Sequence, residues 1–173
     1  MKKIPDFVVL TIITLVAAAL LAATNQLTSG YIAQASLVTA NASRFAALPS
    51  AEDFTDLEAP EGIDALCKGT VGGETVGYVV TATSQGYAGP IEIIIGMDLN
   101  GTVTGITVGG SNFAETAGLG SKVKESAFAD QFIGKAGAVI LGDDIDAVTS
   151  ATISSRAVVV AVNKALESMQ SIQ

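Results

Sequence analysis

Five hydroxyl side chains crowd one short stretch of this sequence. Thr149, Ser150, Thr152, Ser154 and Ser155 fall within Asp146-Ala147-Val148-Thr149-Ser150-Ala151-Thr152-Ile153-Ser154-Ser155, with Asp146 leading them. The stretch joins an apolar run, Val139-Ile140-Leu141, to an apolar helical pattern that begins at Arg156. Hydroxyls at a helix N-terminus sit where unpaired backbone N–H groups favour an anion. The plainer role for such residues is N-capping, which needs one hydroxyl and contributes about 1 kcal/mol. Capping gives no part to the Asp six residues before Thr152. A threonine hydroxyl is a poor nucleophile without a base, and the chain has no His. A Ser-His-Asp triad is therefore excluded.

Other chemistry is sparse. Asp143, Asp144 and Asp146 are close enough in sequence to bind Mg²⁺ or share a proton, or to stand as solvated loop acids. Cys67 is the sole cysteine, so a disulfide framework is excluded and a metal centre of His and Cys is not expected. Cys67 itself reads as a packed or idle thiol.

The elements that must position these residues read as α+β. Glu74 to Thr83 and Pro90 to Met97 have strand composition. Asp98-Leu99-Asn100-Gly101 then supplies turn chemistry before the strand Thr102 to Val108, an antiparallel hairpin signal. Ser121 is placed to cap a helix over Lys122 to Phe132, and Ala138 to Leu141 reads as a buried strand. The last helix is expected from about Ser154 to Met169, with Val158, Val159, Val162, Ala165, Leu166 and Met169 as its buried stripe. Hairpins followed by helices argue against a doubly wound sheet.

At the other end, Phe7 to Ala23 is apolar except for Thr11 and Thr14, about the length that spans a bilayer. A cleaved signal peptide is the rival reading. The run is long for a signal core, and a helical spacing continues through Ile32, Ala35, Val38, Ala42 and Phe45, which favours a retained anchor. Lys2 and Lys3 precede the run and no basic residue follows before Arg44, so the N-terminus is expected in the cytoplasm and the rest outside. Residues 1–25 are then the cytoplasmic tip and span, 26–73 a helical extension and acidic linker, and 74–173 the folded domain. The stretch from Ala46 to Gly73, with Pro49, Pro60 and several glycines, reads as loops and short turns. A net charge of −8 makes nucleic acid an unsuitable partner.

Asp146-x-x-Thr149-Ser150-Ala151-Thr152 resembles the flavin-attachment motif of the FMN-binding domain family. That domain occurs in the G subunit of Rnf-type ferredoxin:NAD oxidoreductase complexes and in the C subunit of the sodium-pumping NADH:quinone oxidoreductase. Ala147 and Ser150 stand where the family often has Gly. Two further segments follow the family's order. Gly86-Tyr87-Ala88-Gly89-Pro90-Ile91 resembles its Gly-Tyr-x-Gly-Pro-Ile stretch, with the ordinary Gly-Pro turn as alternative. Glu115-Thr116-Ala117-Gly118-Leu119-Gly120 resembles its Glu-Thr-Pro-Gly-Leu-Gly loop, with Ala117 in place of Pro.

The resemblance implies FMN joined through its phosphate to Thr152 by a dedicated flavin transferase. Asp146 would serve transferase recognition. Thr149, Ser150, Ala151, Gly86, Tyr87, Gly89, Glu115, Thr116, Gly118 and Leu119 would contribute to the cofactor site, with no metal. The implied role is a redox subunit of an ion-translocating oxidoreductase. It would sit in the cell membrane beside the other membrane subunits, lipid around its span, and pass electrons between the ferredoxin and NAD branches coupled to Na⁺ or H⁺ translocation. The chain is short for the C subunit of the quinone-reducing pump, which points to the G subunit. A stand-alone flavinylated carrier for extracellular electron transfer, the C subunit of a sodium-pumping NADH:quinone oxidoreductase and a cofactor-free anchored binding module are the alternatives.

Overall fold

The computed structural model describes residues 5–110 and 112–170, so Lys2, Lys3 and Ser111 lie outside the described residues. The chain divides into two compact units between Ala40 and Asn41. Helix α1 spans Asp6–Ala47. Within it, Phe7–Tyr31 is long and apolar enough to cross a membrane. At 1.5 Å per residue those 25 residues reach about 37 Å, against a hydrocarbon core of about 30 Å. Leu10, Ile13, Leu20 and Leu21 are exposed, which suits a lipid-facing surface.

The second unit is α+β, as the hairpin pattern required. Strands β1 (Asp53–Leu57), β2 (Ala65–Val71), β3 (Glu74–Gln85), β4 (Pro90–Asp98) and β5 (Val103–Val108) form one sheet in sequence order, every neighbour antiparallel. The β4–β5 turn forms at the expected residues. Asp98 Oδ1 accepts the N–H groups of Asn100 and Thr102, and Gly101 takes φ +77°. The stretch expected to be loops between Ala46 and Gly73 instead carries β1 and β2. β1 is a solvent-facing edge strand in which only Phe54 is partly buried, so its acids leave no apolar alternation to read.

Helix α3, Thr152–Gln170, lies across β3 and β4. All six residues of its expected stripe are buried. They meet Val80, Ile91, Ile93, Ile95 and Met97 from the sheet and Phe128 and Phe132 from the connecting segment in the main core. The opposite sheet face is covered by Ala47, Leu48 and Ala51, which pack with Cys67, Val79 and Ile94. Thr104 Oγ1 donates to the Ala47 carbonyl at 2.8 Å, fixing the end of α1 on the sheet.

Two expected elements between β5 and α3 are absent in the form foreseen. The helix over Lys122 to Phe132 is broken into a 3-10 turn (Gly120–Lys124), the short α2 (Ser126–Ala129) and a second 3-10 turn (Asp130–Phe132). Glu125, extended at ψ 145°, interrupts it. Ala138 to Leu141 is not a strand. Val139 is buried, but its N–H and C=O are both satisfied by the Asn163 side-chain amide, at 2.8 and 2.9 Å. An amide from α3 thus does what a neighbouring strand would otherwise do.

Candidate functional site

The hydroxyl-rich turn has a construction of its own. The Ala151 N–H donates to the Val148 carbonyl at 2.9 Å, closing a turn just before α3. Ser155, fully buried, reaches back over it: its Oγ accepts the Val148 N–H at 3.0 Å and donates to the Ala151 carbonyl at 3.0 Å. The role of tying the helix start therefore falls to Ser155, inside the first turn. Ser150 sits at φ +64°, the one non-glycine residue with positive φ among the described residues. A left-handed backbone at that position is one that Gly adopts without strain. Thr152 is the first residue of α3 and its side chain is exposed. The Ser155 N–H closes onto the Ala151 carbonyl, so the amides of Thr152, Ile153 and Ser154 precede the helical ladder.

Three segments far apart in sequence meet around this helix start. Tyr87, Glu115, Thr116, Leu119 and Gly120 share one cleft of about 530 Å³ with residues Ser150 to Ser154. The volume falls within the roughly 300–1,000 Å³ of small-molecule sites. Its rim is apolar and open: Tyr87 is 71% exposed, Leu119 45% and Ile153 51%. The Thr116 hydroxyl is exposed and makes no hydrogen bond within the described residues, while its carbonyl accepts the Leu119 and Ser121 N–H groups at 3.1 Å. Gly118 takes φ +75° at the tip of that loop, where its N–H donates to Ser121 Oγ.

Of the residues singled out in the sequence, Tyr87, Glu115, Thr116, Leu119, Ser150, Ala151 and Thr152 line the cleft. Thr149, Gly86, Gly89 and Gly118 lie in the same three segments but not among the lining residues. Asp146 is set apart. Its backbone is held on both sides by Gln131, whose Oε1 accepts the Asp146 N–H at 2.7 Å and whose Nε2 donates to the Asp146 carbonyl at 3.4 Å. Its exposed side chain borders a second cleft, of about 470 Å³, with Lys122, Glu125 and Gln131. Asp144 Oδ2 accepts the Ile140 N–H and Oδ1 lies 4.0 Å from Lys135 Nζ, so this acid shapes its loop.

Three further residues line or support the cleft without having been assigned to the cofactor site from the sequence. Ile153 is exposed because it falls out of phase with the buried stripe, a signal present in the helical spacing. Ser154 is buried and donates to Glu115 Oε2 at 2.7 Å, across 39 residues of sequence. Gly120 is buried beside the same carboxylate.

Comparison with known proteins agrees with this geometry. Residues 86–167 match the FMN-binding domain model. Over 95% of this chain and 90% of its relative, the sequence is 35% identical to the G subunit of the Na(+)-translocating ferredoxin:NAD(+) oxidoreductase complex of Acetobacterium woodii. It is 34% identical, over 96% of this chain and 94% of the relative, to the G subunit of the ion-translocating oxidoreductase complex of Methanosarcina acetivorans. For the proton-translocating counterpart of Clostridium ljungdahlii the identity is 32%, over 91% and 86%. The fold resembles the crystal structure of the C subunit of the Na(+)-translocating NADH-quinone reductase of Parabacteroides distasonis, with a TM-score of 0.50 at 23% identity, over 60% of this chain and 59% of that one. The chain therefore belongs to the family of G subunits of ion-translocating ferredoxin:NAD(+) oxidoreductase complexes, which carry an FMN-binding domain.

Proposed function

We propose that this chain is the electron-transfer subunit of an Rnf-type membrane complex and carries FMN as a phosphoester of Thr152. The observation that carries the reading is the meeting, in one cleft, of an exposed Thr hydroxyl at a helix start with the two loops bearing Tyr87, Thr116 and Leu119. The residues fit the group. Thr152 offers an accessible hydroxyl to a flavin transferase, and the amides of Thr152, Ile153 and Ser154 suit a phosphodiester charge. Tyr87, Leu119 and Ile153 offer apolar surface to a planar ring, and the Thr116 hydroxyl offers it a hydrogen bond. FMN supplies one- and two-electron chemistry when bound. The chain's part is to fix its position.

Asp146, on the outer side of the attachment turn and away from the cleft, suits recognition by the transferase during maturation. Thr149, exposed on the same turn, belongs with that recognition surface. Phe7–Tyr31 spans the cell membrane with the N-terminus in the cytoplasm, and the α+β unit works on the outer side beside the other membrane subunits. The complex couples the electron flow to movement of Na⁺ or H⁺. The test is expression of the full chain and its Thr152→Ala variant with a flavin transferase. The wild type should give a fluorescent flavin band on a denaturing gel and the variant none. A variant band of wild-type strength would overturn the assignment.

A further inference from the structure

Glu115 is a carboxylate with both oxygens engaged by the protein itself. Oε1 accepts the N–H groups of Tyr87 and Ala88, at 2.8 and 3.0 Å, and Oε2 accepts the Ser154 hydroxyl at 2.7 Å. One side chain thus ties the 86–89 turn to the first turn of α3, two residues from Thr152. It is only 9% exposed, and it has no ion pair among the described residues. Two glycines make room for it. A Cβ at Gly86 would meet Glu115 Oε1 and the Ile91 side chain, and a Cβ at Gly120 would collide with Glu115 Oε2 and Ser154 Oγ. Gly86 and Gly120 therefore have a local reason that involves no ligand: they admit a buried carboxylate.

We propose that Glu115 is the positioning residue of the flavin seat, holding the Tyr87 turn against the α3 start and keeping an uncompensated negative charge in the cleft wall that lowers the potential of the bound flavin. The second half rests on the reading of the cleft as the FMN site. Both halves follow from the same geometry. Three neutral donors hold the carboxylate without cancelling its charge, and the side chain itself is buried in the wall of an otherwise open cleft. Reduction adds electron density to the ring, so a fixed negative charge in the lining opposes it. The attachment point is fixed independently by Ser155, so Glu115 acts on where the ring side of the cleft lies relative to Thr152.

Two variants separate the roles. Glu115→Gln keeps an acceptor for the Tyr87 and Ala88 amides and an amide group for Ser154, but removes the charge. Glu115→Ala removes both. In full chain flavinylated by the transferase, the flavin-carrying fraction of Glu115→Gln should favour the reduced form at least tenfold in a dithionite titration, about 59 mV for one electron. In chain expressed without the transferase, Glu115→Ala should speed hydrogen exchange at the Tyr87 and Ala88 amides more than tenfold, and Glu115→Gln should restore most of the protection. An unchanged midpoint in loaded Glu115→Gln overturns the electrostatic role. Wild-type protection in Glu115→Ala overturns the tie. If Glu115→Ala does not fold, exchange and midpoint in Glu115→Gln still decide. A wild-type chain that accepts no flavin would remove the FMN reading while leaving the exchange test of the tie intact.

Discussion

Replacing Ser155 by alanine should loosen the turn before Thr152 while leaving α3 helical. The hydroxyl is fully buried and serves two groups at once, accepting the Val148 N–H and donating to the Ala151 carbonyl. Removing it deletes one helix-internal bond and strands the Val148 N–H in a partly buried place. A buried donor left without a partner costs about 1–3 kcal/mol. Alanine is the better helix former by about 0.5 kcal/mol, which offsets part of the loss. The net is a destabilisation of about 1–2 kcal/mol, or a melting point lower by roughly 3–10 °C for a unit of this size. Ser168→Ala is the matched control, because Ser168 sits on the same helix and, among the described residues, its hydroxyl serves the Ala165 carbonyl alone. It carries the same propensity gain without the loop partner. Thermal unfolding of the full chain in detergent, followed by circular dichroism, compares the two. A Ser155→Ala shift no larger than that of Ser168→Ala would refute the idea that this hydroxyl holds the turn.

Ser150→Gly should change stability by less than about 1 kcal/mol, since relief of the φ +64° backbone is offset by the entropy of Gly, whereas Ser150→Val should be clearly destabilising in the same melt. Thr116→Val should retain covalent flavin yet move its midpoint by roughly 60–130 mV, the equivalent of a 1.5–3 kcal/mol hydrogen bond to the reduced ring; an unmoved midpoint in a redox titration would remove Thr116 from the ring's surroundings. Burial pushes the Cys67 thiol up to about 11 from 9.0, and its hydrogen bond to Asp56 adds to the rise against the opposing pull of Arg44. The folded chain then keeps this proton between pH 9 and 11 while the unfolded chain releases it. Stability should fall as pH rises through that window, less so in Cys67→Ala, and iodoacetamide at pH 8 should label native chain far more slowly than denatured chain. A C-terminal fusion to an enzyme active only outside the cytoplasm should be active, and activity of a cytoplasm-only reporter would reverse the proposed orientation.

Local chemistry in the sequence was enough to locate β3, β4, β5 and the α3 stripe, because each is signalled within a dozen residues. The Asp98 to Gly101 turn is the clearest case, since the side chain that builds it is two to four residues from the amides it binds. β1 could not be read, because an exposed edge strand has no buried face to impose alternation. The broken Lys122 to Phe132 segment misled for a different reason. Phe128 and Phe132 have helical spacing and do pack together, edge to face at 5.5 Å, but across separate short turns. In the site, the order of the three motifs was legible while their joint geometry was not. Glu115 lies 28 residues from Tyr87 and 39 from Ser154, and no local pattern links them. Gly86 and Gly120 stood within the two loop motifs of the sequence, but only the fold shows that a carboxylate lies against both.

The side chains of α3 also set an order of events in biosynthesis. Asn163 holds the Val139 segment, Ser155 holds the Val148 turn and Ser154 holds Glu115, so loops made earlier wait for a helix made later. Until α3 has been delivered and docked, the turn before Thr152 lacks its clamp and the cleft lacks one wall. A transferase that recognises the shape of this turn would then meet its substrate only in chains whose fold is complete. Any modification read from the shape of this turn would then come late, after the last helix has docked.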